Sequence, residues 1–226
     1  MSISAPDLNS FSVMLSASLP EDMEQTLNAQ DKYDLIVTLV GGVLTMGGMI
    51  VFGGHPSITP LIHCVARSSG IKEPCILLYQ VASLKNEAPE EVKDTDVFKE
   101  VIWVGSEDGT RESLKEDLVE MRQQMVERAG AGIFVGGKTK NFIGDVPGVR
   151  DEYQRFVTKH RDGPAYLLGM LAGEAMAMIR RMEQTGDREP NTLNPEELRA
   201  IHYTDNVDLA CSLILADLIR TANRQA

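Results

Sequence analysis

Three features of the sequence predict an α/β fold, a doubly wound parallel sheet in a three-layer α/β/α sandwich. Short apolar runs of strand length alternate with longer segments whose apolar residues recur at helical spacing. Two of these runs end at paired glycines before a helix start, a common junction in α/β proteins. The chain has 226 residues, 43% of them hydrophobic, which is enough for a sizeable core. We predict a single domain over residues 1–226, with a C-terminal helical extension from about residue 185.

The first strand is predicted over residues 11–19, where polar and apolar residues alternate weakly. Its end contains Ser16 and Ser18, which are small and carry hydroxyl groups. Because ligands of open parallel sheets lie beyond the carboxyl ends of the strands, both serines are candidate ligand-binding residues. Small residues also occur where backbones pack closely, so close packing is the alternative interpretation. The first long helix is predicted over residues 31–46.

The chain is organised around the stretch MIVFGGHPSITP, residues 49–60. Its four leading apolar residues predict a buried strand, and the glycine pair permits a turn that a side chain would obstruct. Proline then stops the strand, and Ser57 is a plausible N-cap for a helix over residues 57–69. Backbone N–H groups and a positive helix end suit a phosphate or carboxylate, although a tight connection without a ligand is equally consistent. The candidate ligand-binding residues here are Gly53, Gly54, His55, Ser57 and Thr59.

A second junction of the same kind follows the apolar run at residues 130–137. That run stops at Gly136 and Gly137, and a helix start is predicted at Pro147-Gly148. Gly136, Gly137 and Gly148 are candidate ligand-binding residues. If both junctions lie at one edge of a parallel sheet, they form opposite walls of one crevice. Glu152 would then lie near this crevice, although an acidic residue in a first helical turn is more often only a dipole-stabilising group.

The remaining elements follow the same alternation of short apolar runs and amphipathic segments. The other predicted strands cover residues 75–79, 101–104 and 164–169, and the other predicted helices cover residues 110–128, 170–183, 196–199 and 205–222. Gly173 and Glu174, near the start of the helix after the last strand, form a third small-residue junction and are candidate ligand-binding residues. Arg122 lies beside the apolar stripe of its helix, where a solvated side chain is the simpler interpretation.

Composition excludes several classes of protein. The net charge of -11 argues against a broad nucleic-acid surface, but it is compatible with a small anionic ligand bound by local positive potential. Residues 35–54 carry no charge, yet three glycine pairs interrupt them, so we predict no membrane span. The three cysteines lie in apolar runs, which favours reduced thiols in the cytoplasm. No cluster with metal-ligand spacing is present, so we expect no metal site.

Several motifs together resemble the SLOG superfamily of Rossmann-like domains, over roughly residues 11–182. The motifs are LSASLP, VFGGHPSITPLI, SLKEDLVEMRQQM, IFVGG and PGVRDEY. The superfamily includes lonely-guy cytokinin-activating enzymes, Smf/DprA proteins and the nucleotide-sensing domains of TRPM channels. The GGHP form most resembles the branch fused to sirtuin-type and TIR domains in bacterial antiphage defence. The resemblance implies a ligand of the nucleotide, NAD or ADP-ribose class at the strand ends, with no other cofactor required.

The resemblance also implies two candidate catalytic residues, Glu152 and Arg122. In the lonely-guy branch, a PGGxGTxxE motif supplies a phosphate loop and a glutamate that cleaves an N-glycosidic bond, with an arginine from the preceding helix. Pro147-Gly148 and Glu152 match this motif in part, but the paired glycine and the threonine are missing. Residues 138–146 also separate the glycine pair from Pro147, and Arg122 lies one residue out of the expected register. These departures argue against hydrolysis more than against ligand binding.

Three functions are therefore to be compared. The first is a sensor that binds a nucleotide-derived signal, such as a cyclic ADP-ribose isomer, and acts as a homo-oligomer or through a sirtuin-like or TIR effector. The second is an N-glycoside hydrolase of nucleotides or NAD, with Glu152 and Arg122 in the active site. The third is a structural partner subunit whose pocket is vestigial. We expect no nucleic-acid or membrane partner for any of them.

Overall fold

The protein is an α/β sandwich built on one six-stranded parallel sheet, which confirms the predicted fold class. A computed structural model describes residues 8, 11–18, 29–56, 58–71, 73–107 and 109–225. The strands are β1 (Ser12–Ser18), β2 (Met49–Gly53), β3 (Ile76–Val81), β4 (Phe98–Val104), β5 (Ala131–Gly136) and β6 (Ala165–Leu168).

The strand order is β4-β3-β2-β1-β5-β6, and every neighbouring pair is parallel. The chain therefore builds outward from β1 to β4 and then crosses back to add β5 and β6 on the other side. The direction of winding reverses between β1 and β5, where Ser18 lies opposite Gly136. In open α/β sheets this reversal leaves a crevice at the carboxyl ends of the strands, because the flanking connections diverge there.

Helices cover both faces of the sheet. They are α1 (Ala29–Thr45), α2 (Thr59–Ser68), α3 (Arg111–Arg128), α4 (Gly148–Lys159), α5 (Gly173–Thr185), α6 (Pro195–Tyr203) and α7 (Val207–Gln225), and two 3-10 turns (Ala82–Glu87 and Glu90–Lys93) precede β4. Successive side chains of a strand point to opposite faces, so β1 contributes side chains to two hydrophobic cores, one on each face of the sheet. Val13 and Leu15 join the core that contains α1, α2 and α7, whereas Met14 joins the core that contains α3, α4 and α5.

The uncharged stretch over residues 35–54 is divided between α1 and β2. The helix ends at Thr45, and Gly47 turns the chain with a φ of 77° before β2 begins at Met49. Leu35, Leu39 and Val43 pack in the core, which explains the apolar run by burial against the sheet. Within the described ranges, no helix combines the length and the apolar character needed to cross a bilayer.

Several element boundaries differ from the sequence-based expectation, and β4 begins at Phe98, three residues before the predicted start at residue 101. The helix α2 begins at Thr59, after Ile58 in the N-cap position, and Ser57 lies outside the described residues. The helix α5 begins at Gly173 because residues 169–172 form a turn in which Ala172 has a φ of 50°. The helix α6 runs to Tyr203, four residues beyond the predicted residue 199, and Asn194 and Glu197 form a capping box at its start.

The apolar C-terminal helix packs against its own domain. Ala210, Ile214 and Leu218 of α7 are buried in the same core as α1. The two helices approach so closely that a Cβ atom on Gly42 would lie 2.5 Å from Leu215 Cδ1. The apolar face of α7 is therefore covered by the domain itself.

Candidate functional site

A cavity of about 310 Å³ opens at the carboxyl edge of the sheet, above β1 and β2. Its walls come from the ends of these strands, from α3, from the first turn of α4 and from the loop at residues 138–146. The lining residues are Leu15, Ser16, Ala17, Ser18, Gly53, Gly54, His55, Leu118, Met121, Arg122, Lys138, Asn141, Phe142, Ile143, Gly148, Val149 and Glu152. The cavity thus lies where the topology predicts a ligand-binding crevice, and its volume is at the lower end of small-molecule sites, about 300–1,000 Å³.

The Gly53-Gly54 turn forms one wall of the cavity. Neighbouring side chains occupy the space that a Cβ atom at either position would need. A Cβ on Gly53 would lie 3.0 Å from the sulfur of Met125, and a Cβ on Gly54 would collide with the amide of Gln80. The Gly54 N–H donates to Tyr79 O at 2.9 Å, which continues the ladder one residue past β2. These glycines are therefore required by close packing, and they bring the backbone to the cavity surface.

The imidazole of His55 follows this turn and lines the cavity. Burial lowers its pKa, and the positive charge of Lys138 across the cavity lowers it further. Thr59 does not line the cavity. Its hydroxyl donates to His55 O at 2.9 Å, so Thr59 holds the backbone of His55 in place from below.

Arg122 and Glu152 meet inside the cavity. The Arg122 side chain is only 10% exposed, and its Nε lies 3.4 Å from Glu152 Oε1. Its Nη1 also pairs with Asp151 Oδ2 at 3.1 Å. The interpretation of Arg122 as a solvated surface residue is therefore wrong, because α4 presents two carboxylates to it.

Burial raises the pKa of Glu152, and the charge of Arg122 followed by the Ser16 hydroxyl opposes the rise. The direction of the net shift means that burial outweighs these favourable contacts. The carboxyl group is thereby moved toward the range in which it can exchange a proton near neutral pH.

Two buried polar atoms on the cavity wall lack a hydrogen bond. The Ser16 hydroxyl lies near Glu152 but meets no partner at ordinary length and angle, and Arg122 Nε is not aligned with the Glu152 oxygen beside it. Buried polar atoms are normally satisfied, since an unpaired one costs about 1–3 kcal/mol. Both atoms therefore have unused hydrogen-bonding capacity in residues that line the cavity.

The start of α4 approaches Arg122 closely because residue 148 is glycine. A Cβ on Gly148 would lie 3.0 Å from Arg122 Nη2. Pro147 is the N-cap residue without a side-chain cap, and Gly148 and Val149 of the first turn line the cavity. The positive end of α4 adds to the charge of Arg122 there.

The glycine pair after β5 lies beside the cavity without lining it. Gly136 and Gly137 have φ values of 65° and 95°, which only glycine adopts easily, and the Gly137 N–H donates to Ser18 O at 2.9 Å. The next residue, Lys138, does line the cavity. The two predicted junctions thus share the carboxyl edge, and the second contributes through the residues that follow its glycines.

Gly173 and Glu174 lie away from the cavity. Glu174 is buried and its Oε1 lies 2.5 Å from Nη2 of Arg150 and of Arg181. Its N–H donates to Gly137 O, so this junction joins α4 and α5 to the end of β5. Ser57, the remaining predicted ligand-binding residue, lies outside the described residues.

Sequence reasoning missed the loop and α3 residues of the wall. They are Leu118 and Met121 of α3 and Lys138, Asn141, Phe142 and Ile143 of the loop, and Leu15, Ala17 and Val149 were missed as well. The available signal was the insertion of residues 138–146 between the second glycine pair and Pro147. Among the described residues, no group of three or more His, Cys, Asp or Glu side chains is placed to hold a metal ion.

The fold and the crevice together define a Rossmann-like α/β protein with a cavity of mixed polar and apolar lining at its topological switch point. A family model for the SLOG cluster3 family matches residues 25–198, more than half of the chain, and the chain belongs to that family. The X-ray structure of TM1055, a Northeast Structural Genomics Consortium target, shares this fold. It aligns with a TM-score of 0.53 at 14% sequence identity, over 90% of this chain and 98% of that chain. A comparison with curated proteins finds no match.

Proposed function

We propose that the protein binds a nucleotide-derived ligand of the NAD or ADP-ribose type in the crevice at the carboxyl edge of the sheet. The observation that carries this proposal is the pair of unsatisfied buried polar atoms, Ser16 Oγ and Arg122 Nε, on the wall of one cavity. A ribose hydroxyl can pair with the serine, and a phosphate oxygen can accept from the guanidinium.

The charges of the cavity wall support an anionic ligand. Arg122 and Lys138 are cations, Asp151 and Glu152 are the carboxylates beside Arg122, and the start of α4 adds a positive helix end. The protein as a whole carries a net charge of -11, so this local cation pair contrasts with an acidic surface. Such a contrast favours capture of a small anion over binding of a polyanion.

Isothermal titration calorimetry with ADP-ribose, NAD and AMP tests the proposal on wild-type protein and on Ser16→Ala. Because Ser16 Oγ is buried without a hydrogen bond in the free protein, its removal should not lower the free energy of unfolding. Affinity should fall about 3- to 10-fold, as expected for one lost hydrogen bond.

The matched control is Ser12→Ala at the opposite end of the same strand, where affinity should not change. Absence of binding by wild type at millimolar concentrations of all three compounds would refute the proposal.

A second candidate function is hydrolysis of an N-glycosidic bond in such a ligand. The observation that favours it is the Arg122–Glu152 pair, 3.4 Å apart, with burial raising the pKa of the carboxyl group. Glu152 would stabilise the oxocarbenium character of the transition state and position water, while Arg122 would hold the phosphate.

Release of free base from AMP or NAD by purified protein measures this activity. Glu152→Gln should lower it at least about 100-fold, because general acid–base groups contribute about 10²–10⁴. The control Glu116→Gln changes an exposed carboxylate on α3 outside the cavity and should retain the activity. If Glu152→Gln remains as active as wild type, Glu152 has no catalytic role.

The resemblance of GGHP at residues 53–56 to the antiphage branch supports a further proposal, a sensor in bacterial antiphage defence. The sensor would act as a homo-oligomer or on a sirtuin-like or TIR effector. Size-exclusion chromatography with and without ADP-ribose tests ligand-dependent assembly, and an unchanged elution volume with saturating ligand would exclude it.

A further inference from the structure

We propose that Phe142 is the residue that selects base-bearing ligands, by contacting the flat face of a nucleobase in the crevice. This inference rests on the proposed function and assigns a role to the inserted loop at residues 138–146. Phe142 is half-buried and lines the cavity beside Ile143.

The fold makes no use of Phe142 in its cores. The chain has six phenylalanines. Phe52, Phe98, Phe134 and Phe156 are core residues and Phe11 packs against a core, so Phe142 is the one that belongs to neither. Within the described ranges, its ring also pairs with no other aromatic ring. Its apolar surface is therefore available on the cavity wall.

The cavity wall combines polar and apolar side chains. The polar ones include Ser16, His55, Arg122, Lys138 and Glu152. The apolar ones include two residues of α3 and two loop residues, namely Leu118, Met121, Phe142 and Ile143. A ribose phosphate alone would pair with polar side chains and leave these apolar ones without a partner, whereas an attached base would cover apolar surface. Aromatic side chains stack on any nucleobase, since every base has a π-face.

Loop conformation keeps this pair of apolar residues at the cavity. Asn141 has a φ of 53° and Gly144 a φ of 110°, so residues with positive φ flank Phe142 and Ile143 in a bent loop. Ile143 is 40% exposed, which places it at the rim. The positive φ values of Asn141 and Gly144 thus define the backbone conformation on both sides of Phe142.

The test compares base-bearing and base-free ligands by calorimetry. AMP and ADP-ribose carry adenine, and ribose 5-phosphate does not. For Phe142→Ala, affinity for AMP and ADP-ribose should fall about 10- to 100-fold, the range of a lost stacking contact, while affinity for ribose 5-phosphate stays within about twofold. Phe142→Tyr keeps the ring and should bind like wild type. Tyr33→Ala removes an exposed aromatic residue of α1 outside the cavity and should also bind like wild type.

The outcomes separate the two proposals. If wild type binds ribose 5-phosphate as tightly as AMP and ADP-ribose, or if Phe142→Ala weakens all three equally, the role of Phe142 is refuted and ligand binding in the crevice stands. If wild type binds none of the three, the proposed function fails and the role of Phe142 fails with it. Thermal unfolding of each variant, expected to match wild type because the loop lies outside both cores, excludes a folding defect.

Discussion

At the residue scale, the crevice is shaped mainly by glycines, which have no Cβ atom. Gly53, Gly54 and Gly148 leave room for Met125, Gln80 and Arg122, and none of these three glycines has a positive φ. Gly137, by contrast, adopts a φ of 95° that other residues avoid. Glycine is thus required around this crevice for two reasons, which are close packing and a positive φ.

Gly54→Ala should destabilise the protein by about 1–3 kcal/mol, because the new methyl group collides with the side-chain amide of the buried Gln80. Urea unfolding followed by circular dichroism measures the change. Gly41→Ala is the matched control. Its Cβ would meet Val65 at an ordinary 3.6 Å, so alanine in this helix should stabilise by about 0.5–1 kcal/mol. Equal effects at the two positions would contradict the packing explanation.

Glu152→Gln should change the pH dependence of stability. The pKa of Glu152 is raised in the folded state, so the folded protein binds a proton more tightly than the unfolded chain. The wild-type free energy of unfolding should therefore fall, relative to the variant, as pH rises from the unfolded-state pKa of about 4.3 through the folded-state value. Urea titrations from pH 4 to 8 measure this difference, and parallel profiles would show that burial of Glu152 carries no such cost.

At the scale of elements, the segment after α5 closes the outer edge of the sheet. Leu167 of the edge strand donates its N–H to the Glu189 carboxylate at 3.0 Å, and Ala165 donates to Pro190 O at 2.7 Å. His202 of α6 pairs with Glu189 at 2.6 Å. An exposed strand edge is a site of unwanted pairing, so this cover protects β6.

Glu189→Ala should therefore cost about 3–5 kcal/mol, because it leaves the Leu167 N–H and the buried His202 without a partner. Urea unfolding measures the loss. Glu116→Ala, on the exposed face of α3, should change the free energy of unfolding by no more than about 0.5 kcal/mol. A small effect of Glu189→Ala would show that the segment is held by its backbone contacts alone.

Across the whole molecule, α7 is tied to the sheet although it lies beyond the family match at residues 25–198. Asp217 of α7 is buried and accepts a hydrogen bond from Tyr166 of β6 at 2.8 Å. It also accepts from the N–H of Thr192 at 3.1 Å. The edge strand, the segment that covers it and the last helix thus share one carboxylate.

Tyr166→Phe should lower the free energy of unfolding by about 1–2 kcal/mol, since it removes one buried donor to a charged acceptor. Differential scanning calorimetry should show one transition at a lower Tm. Tyr33→Phe, at an exposed tyrosine of α1, should leave Tm unchanged. Separate transitions would show instead that α7 unfolds independently of the sheet.

Local signals predicted most of the elements and only part of the site. Apolar runs ending at glycine pairs identified β2 and β5, because a buried strand and its turn differ sharply in composition. The start of α5 was missed, since Ala172 adopts a φ of 50° without a local signal such as glycine. The site prediction included Gly53, His55 and Glu152 but no residue of the loop at 138–146, because a loop has no periodicity from which its side-chain directions follow.

The sequence by itself determined the alternation of strands and helices and the positions of the glycine-marked turns, because both depend on residues close together along the chain. Only the tertiary structure decided that Arg122 meets Glu152, and that Ser16, His55 and Phe142 share one cavity. Those contacts depend on the strand order β4-β3-β2-β1-β5-β6, which brings β2 and β5 to either side of β1. Strand order is a property of long-range packing, and no local pattern of residues encodes it.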